Sequence, residues 1–378
     1  MIPHFLFLSW VVSLIFIDFR YLSKILSRQY FVFFYIFILY FFVASLPMYS
    51  IVTCINRVIT MLELIAPMIM YELYSKCGKT PKVIIFITIS GLAIVNMYLL
   101  RQNVSIEMGL KQHADEDGFI NTAYHWVYSL SILEGLIVYI IRKMRGECFE
   151  HKFLITLFLL VMSAAIFIVV ILSLYATAMI LMLVSVVMAL LYGRKKWLLK
   201  LASAGLLSLL LFTHFLPFVI NVLDKITPES TMYAKRAIEI FDIVNGDVDV
   251  DNSSGGARLA RTMISLETFA YHPITGLTPF TDDVIAEPPV IPGTKIGNHA
   301  EWVDDMGLYG IWAFFLFAFL WKYTKRLYKS LDIAFIFIAF IILGFLNKCF
   351  YIVHMTLLFL YAPIMYDYIM SLKKSNKR

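Results

Sequence analysis

Whole stretches of about 17 to 22 residues in this chain carry almost no charge, and that is the length a helix needs to cross a bilayer's hydrocarbon. From 153 to 173 and from 176 to 192 there is no charged side chain at all. A soluble domain would alternate apolar and polar faces, and a spanning strand barrel would alternate them residue by residue. Neither pattern occurs, and in hydrocarbon a helix is the element that satisfies its own backbone. Composition agrees: 61% of residues are hydrophobic, 15% are charged and 32 are Phe, with mean hydropathy +0.80, far from the mix of a soluble domain. The fold class expected is all-α, a polytopic transmembrane helix bundle of about 11 spans with one large, partly helical outer loop.

The spans are expected near 2–17, 30–49, 58–74, 83–100, 122–141, 153–173, 176–192, 201–221, 306–321, 331–347 and 350–368. Most of the 32 Lys and Arg then fall in alternate short loops, at 20–28, 76–82, 142–152, 194–200 and 322–329, and in the tail at 373–378. By the positive-inside rule this side, with the C-terminus, is cytoplasmic. An odd number of spans puts the N-terminus outside, and Met1–Ile17 lacks the basic region and cleavage site of a signal peptide. The formal charge of +6 is thus accounted for by topology. No basic patch interleaved with aromatics points to nucleic acid. Cys54, Cys77, Cys148 and Cys349 have neither metal spacing nor a disulfide framework.

Three regions follow: an N-terminal transmembrane bundle at 1–221, a large outer loop at 222–305, and C-terminal transmembrane helices with a basic tail at 306–378. A loop of that length is usually functional or disordered. This one keeps Trp, Phe, Tyr and Ile, partly at helical spacing, which favours folded structure. Ser230 to Val244 reads as a short helix stopped near Gly246. Asp247, Asp249 and Asp251 follow, without the glycine and distal glutamate of a calcium loop, so they read as a solvated acidic turn and no metal is expected.

A second helix fits Ala257 to Ala270. Leu259, Met263, Leu266 and Ala270 form one face, while Arg258, Arg261 and Ser265 gather roughly opposite. Two guanidiniums one turn apart can clamp phosphate oxygens; a solvated face, or pairing with nearby acids, is the alternative. Pro288, Pro289 and Pro292 suggest a stiff extended segment. Asn298 and Glu301 have the spacing of a capping box, opening a helix that continues into the membrane through Trp312 and Phe315. His299 would be its first residue, where the helix dipole favours the neutral imidazole that can accept a proton. An exposed loop histidine without a role is the other reading.

The run from Ala257-Arg258-Leu259 through His272-Pro273-Ile274-Thr275-Gly276, then Asn298-His299-Ala300-Glu301-Trp302-Val303-Asp304-Asp305-Met306-Gly307-Leu308-Tyr309-Gly310-Ile311, resembles the O-antigen ligase and O-antigen or capsular polysaccharide polymerase superfamily. That pattern has an Arg about fifteen residues before a His-Pro-x-x-Gly segment, then a His followed eleven residues later by a Gly at the membrane entry. Arg258 to Pro273 and His299 to Gly310 reproduce both spacings. Ala300 stands where the family often has Asn, and Ser173 to Ala178 lacks the Arg of a frequent Ser-Arg pair.

The resemblance implies a glycosyltransferase in the bacterial inner membrane, working on its outer face without a cofactor. The donor would be an undecaprenyl-pyrophosphate-linked glycan and the acceptor another glycan, with a chain-length regulator as a possible partner. Arg258 and Arg261 would bind the pyrophosphate. His299 would be the catalytic base, with Glu301 or Asp304 orienting or replacing it. The short chain and the His-Ala-Glu-Trp-Val-Asp-Asp version of the motif favour a polymerase over a ligase acting on lipid A core. A lipid-linked glycan flippase or secondary transporter is a rival, for which Glu63, His125, Glu134, His214 and His354 inside spans would be the coupling residues.

Overall fold

The computed structural model describes residues 2–76, 78–102, 123–173, 175–194, 196, 254–277 and 292–373. The span expected at 201–221 with His214, the helix expected over 230–244, the acidic turn at Asp247 to Asp251, and Pro288 and Pro289 lie outside these residues. Among the described residues the structure is helical, with no strand. The helices are α1 (Ile2–Leu26), α2 (Gln29–Ser45), α3 (Ile51–Tyr74), α4 (Lys79–Gln102), α5 (Ala123–Met144), α6 (Lys152–Ser173), α7 (Ala176–Leu191), α8 (Ser254–Tyr271), α9 (Glu301–Tyr309), α10 (Ala313–Leu331), α11 (Phe335–Leu346), α12 (Ile352–Thr356) and α13 (Ala362–Ser371). A 3₁₀ turn, Gly310–Trp312, joins α9 to α10, and a π turn, Leu357–Tyr361, joins α12 to α13.

Six helical segments are long and apolar enough to cross a membrane, and a seventh if α1 and α2, bent by 80° at Ser27–Arg28, form one broken span. The six are Ile51–Tyr74, Lys79–Leu99, Tyr124–Met144, Lys152–Ser173, Glu301–Leu331 and Ile352–Ser371. The segments expected at 176–192 and 331–347 are helices of 16 and 12 residues, short for a full crossing. The described residues therefore form a multi-helix membrane protein with six candidate spans, or seven with the bent pair, among them.

The chain forms two compact units. The first joins Met1–Ile87 to Arg258–Tyr368, although its two parts are far apart in sequence. Its core is aromatic: Phe31 and Phe34 of α2 pack on Phe319 of α10 at ring-centroid distances of 5.4 and 5.1 Å, and Tyr40 stacks on Trp312 at 4.6 Å. Lipid offers no hydrophobic drive to bring helices together, so such dispersion-rich contacts carry the association. Where the chain bends, Arg28 binds Glu72 of α3 at 2.6 Å and donates to the Tyr30 hydroxyl at 2.9 Å. That hydroxyl also accepts from Arg326 at 3.1 Å.

The second unit joins Thr88–Ala257 to Ile369–Arg378. In it α5 lies against both α6 and α7. A Cβ at Gly135 would fall 2.6 Å from the Ser185 carbonyl oxygen, so only glycine permits this approach of α5 to α7. The Ser185 hydroxyl donates across the contact to the Ser131 carbonyl at 2.8 Å. Toward α6, the Ser163 hydroxyl donates to Glu134 at 2.5 Å.

Candidate functional site

The arginine helix forms where expected, as Ser254–Tyr271, but its apolar face does not point inward. Leu259 and Met263 are 58% and 55% exposed, whereas Ser265 and Thr268 are completely buried. Burying hydroxyls is tolerable only when they find partners, and both do. The Ser265 hydroxyl donates to Asp304 Oδ1 at 2.6 Å and accepts from the Gly297 amide at 2.8 Å; Thr268 donates to the Lys295 carbonyl. An outward apolar face on such a helix suits contact with acyl chains. Arg258 is half-buried and Arg261 exposed.

The His-Pro-x-x-Gly segment is an anchor for this helix. His272 is exposed, while the backbone around it is bonded to the next motif: the Ile311 amide donates to the Pro273 carbonyl at 2.8 Å and the Leu277 amide to the Gly307 carbonyl at 3.1 Å. Gly276 has φ +61, and a Cβ there would overlap the Leu308 backbone; Gly310 has φ +57 and lies against Ile274 in the same way. Both positive angles and both close approaches require glycine.

The capping box does not form. Asn298 is left-handed at φ +55, and α9 starts at Glu301 with Ala300 as N-cap and no side-chain cap. His299 therefore sits in a tight turn before the helix rather than in its first turn. Packing decides this: Gly297 lies so close to the Arg261 carbonyl that a Cβ would overlap it, and the chain must reverse at once to enter α9. Asn is among the residues that tolerate that conformation. The turn is thereby pressed onto the arginine helix.

His299 is half-buried. Burial first, then the positive charges of Arg258 and Arg261, with a smaller push from Lys348, hold its imidazole down to about 4 against the opposing carboxylate of Asp304. The ring is thus neutral at pH 7, the state expected, but solvent exclusion and neighbouring cations are responsible rather than a first-turn position.

The acidic residues that follow face inward. Asp304 is fully buried; its Oδ1 accepts from Ser265 on α8, and its Oδ2, which has no hydrogen-bond partner among the described residues, is ion-paired with Lys348 Nζ at 3.2 Å. Glu301 accepts from the Cys349 amide at 3.0 Å. With Asp305 and Tyr309 it lines a cavity of about 110 Å³ walled by Phe34, Met61, Leu64, Leu316 and Met355; one Asp305 oxygen has no hydrogen-bond partner among the described residues. Of the expected residues, Arg258, Arg261 and Asp304 act electrostatically on His299, while the Glu301 carboxylate accepts from the 347–350 connection.

Lys348 is the site residue that sequence reasoning missed. Burial opposes its charge, yet Glu301, Asp304 and Asp305 together hold its ammonium well above the usual lysine range. A signal existed: the expected topology puts Lys348 in a short outer connection, where the positive-inside rule disfavours a lysine. Among the described residues no group of three or more His, Cys, Asp or Glu is arranged to hold a metal ion.

Residues 159–318 match the family model described as O-antigen ligase. This stretch runs from α6 into α10 and includes the arginine helix, the His-Pro-x-x-Gly anchor and the His299 turn. No curated protein matches the chain.

Proposed function

We propose, on the premise that the chain is a member of the O-antigen ligase and polymerase superfamily, that it is a polysaccharide polymerase of the O-antigen or capsule type. It would join lipid-pyrophosphate-linked glycan repeat units on the outer face of the bacterial inner membrane. The observation that carries the reading is a half-buried histidine under the positive charge of two arginines, in a turn pressed onto the arginine helix at Gly297, immediately before a helix long and apolar enough to cross a membrane.

The chemistry divides among these groups. An acceptor sugar hydroxyl attacks the anomeric carbon of the donor; the new glycosidic C–O bond forms as the bond to the lipid pyrophosphate breaks. The hydroxyl proton passes to His299, the general base. The bonding electrons leave with the pyrophosphate, and Arg258 and Arg261 stabilise its growing charge as fixed cations in a partly water-excluded place. Asp304 and Glu301 act as supports, since their carboxyl groups are occupied within the protein. The polyprenyl tail remains in the bilayer, beside the outward apolar face of α8, and no metal or cofactor is called upon.

Purified protein in liposomes with lipid-linked repeat units tests this. Longer glycans on the lipid support a polymerase. Transfer to a lipid A core acceptor without lengthening would make it a ligase, and translocation of lipid-linked glycan without bond formation would make it a flippase.

A further inference from the structure

We propose that Lys348 is a positioning residue of this site, holding the arginine helix and the His299 turn in register through Asp304 and Ser265. The inference rests on the glycosyl-transfer reading of Arg258 and His299. Three contacts make the chain of connections. Lys348 Nζ lies 3.2 Å from Asp304 Oδ2, the other Asp304 oxygen accepts from Ser265 at 2.6 Å, and Ser265 accepts from the Gly297 amide at 2.8 Å. Four separate pieces of chain are tied at one point: the connection before α12, the first turn of α9, the middle of α8, and the backbone two residues before His299.

The pairing also decides what charge His299 feels. Arg258 and Arg261 face it from α8, Asp304 from α9 and Lys348 from the 347–350 connection; Glu301 and Asp305 act on Lys348 from the same side. Asp304 is fully buried, and burying a carboxylate is costly unless a cation pairs with it. Without the lysine, that cation would have to come from the arginines, drawing them from the pyrophosphate, and with their charge spent on Asp304 and that of Lys348 gone His299 would be protonated more easily. Lys348 therefore keeps the arginines available to the substrate and the histidine able to accept a proton.

The test compares Lys348→Met, Lys348→Arg and the double variant Lys348→Met/Asp304→Asn in the liposome transfer assay, with turnover, donor KM and the pH profile read for each. In Lys348→Met turnover should fall about ten-fold or more, as a misplaced reacting group costs. The acid limb of its profile, set by His299, should move up by roughly a pH unit. Lys348→Arg should restore both. The double variant strands no charge and keeps a hydrogen bond to Ser265, so its acid limb should return toward the wild-type position. A purely structural role would change the yield of folded protein while leaving the limb unmoved.

A folded Lys348→Met with wild-type turnover and an unmoved limb would overturn the proposal. If that variant does not fold, the double variant decides. The neutral link is weaker than a charge-assisted one, so its turnover should be lower than wild type, and wild-type turnover would equally overturn it. Arg258→Ala and His299→Ala run alongside: if both keep full activity the transferase site itself is wrong, whereas their inactivity beside an indifferent Lys348→Met removes only the role of Lys348.

Discussion

Two helix contacts in this protein are each closed at a glycine, where an added Cβ would fall 2.6 Å from its neighbour at Gly135 and 3.0 Å at Gly307, but the bonds beside them differ in kind. In the second unit, α5 meets α7 at Gly135 against Ser185, where the bond between the two helices is a neutral one from Ser185 to Ser131, while Arg142 of α5 donates to the Leu190 and Tyr192 carbonyls at the far end of α7. In the first unit, α9 meets α8 at Gly307 against the Ser265 backbone, but the bond between them carries the charge of Asp304, which Lys348 balances. A neutral small-residue contact suffices to hold membrane helices together. Buried ions are expensive to desolvate and often add little net stability over a well-packed apolar alternative. Charges at the α8–α9 contact therefore make sense as a means of aiming Arg258, Arg261 and His299, whereas the α5–α7 contact serves packing.

The comparison breaks most sharply at His299. As general base it should contribute roughly 10²- to 10⁴-fold to the rate, so His299→Ala should lose that much turnover while the protein still inserts and binds donor. His299→Gln should be nearly as inactive if proton transfer is the role; recovery with Gln would assign the residue to hydrogen bonding. The pH profile of the intact protein sharpens the same point. Because the folded imidazole lies at about 4, kcat/KM should stay level from neutrality down to roughly pH 5 and fall only near pH 4. An acid limb near 6.5, the value of an unperturbed histidine, would contradict the buried, cation-flanked setting.

Arg258 comes next. Arg258→Ala should remove nearly all transfer without unfolding, and Arg258→Lys, which keeps the charge but loses the planar fork, should retain a small fraction. Full activity in the alanine variant would reduce the arginine face to a solvated surface.

Glycine substitutions test the geometry. Gly297→Ala forces the turn away from the Arg261 carbonyl, which should lower transfer by about ten- to a hundred-fold while destabilising by about 1–3 kcal/mol, measured as turnover against thermal midpoint. Ser185→Ala should cost only about 0.6 kcal/mol and leave turnover unchanged. A larger effect on transfer from Ser185→Ala than from Gly297→Ala would reverse the assignment of the two contacts.

Local patterns were legible because they repeat within one element. The uncharged run over 153–173 became α6 almost residue for residue, and the arginine spacing became a helix three residues longer than expected at its N-terminus. The capping box was misread because the same Asn that caps a helix also tolerates a left-handed turn, and only the nearby Arg261 backbone selects between these uses. Periodicity separated the two faces of α8, but which of them is buried was decided by docking, which left Leu259 and Met263 exposed and buried Ser265.

What the sequence determined by itself was the solvent and the residue types: lengths of uncharged chain require a bilayer, and helical spacing puts Arg258, Arg261 and Ser265 on one face. What the tertiary structure decided was pairing. Ser265 meets Asp304 across 39 positions, Glu301 meets the Cys349 amide across 48, and Lys348 reaches Asp304 from a connection beyond two further helices. Periodicity records which face of a helix a residue occupies, because it follows from backbone geometry alone. A bond between distant segments depends on how whole helices dock and leaves no regular spacing, so the lysine that anchors the site became visible only when the helices were assembled.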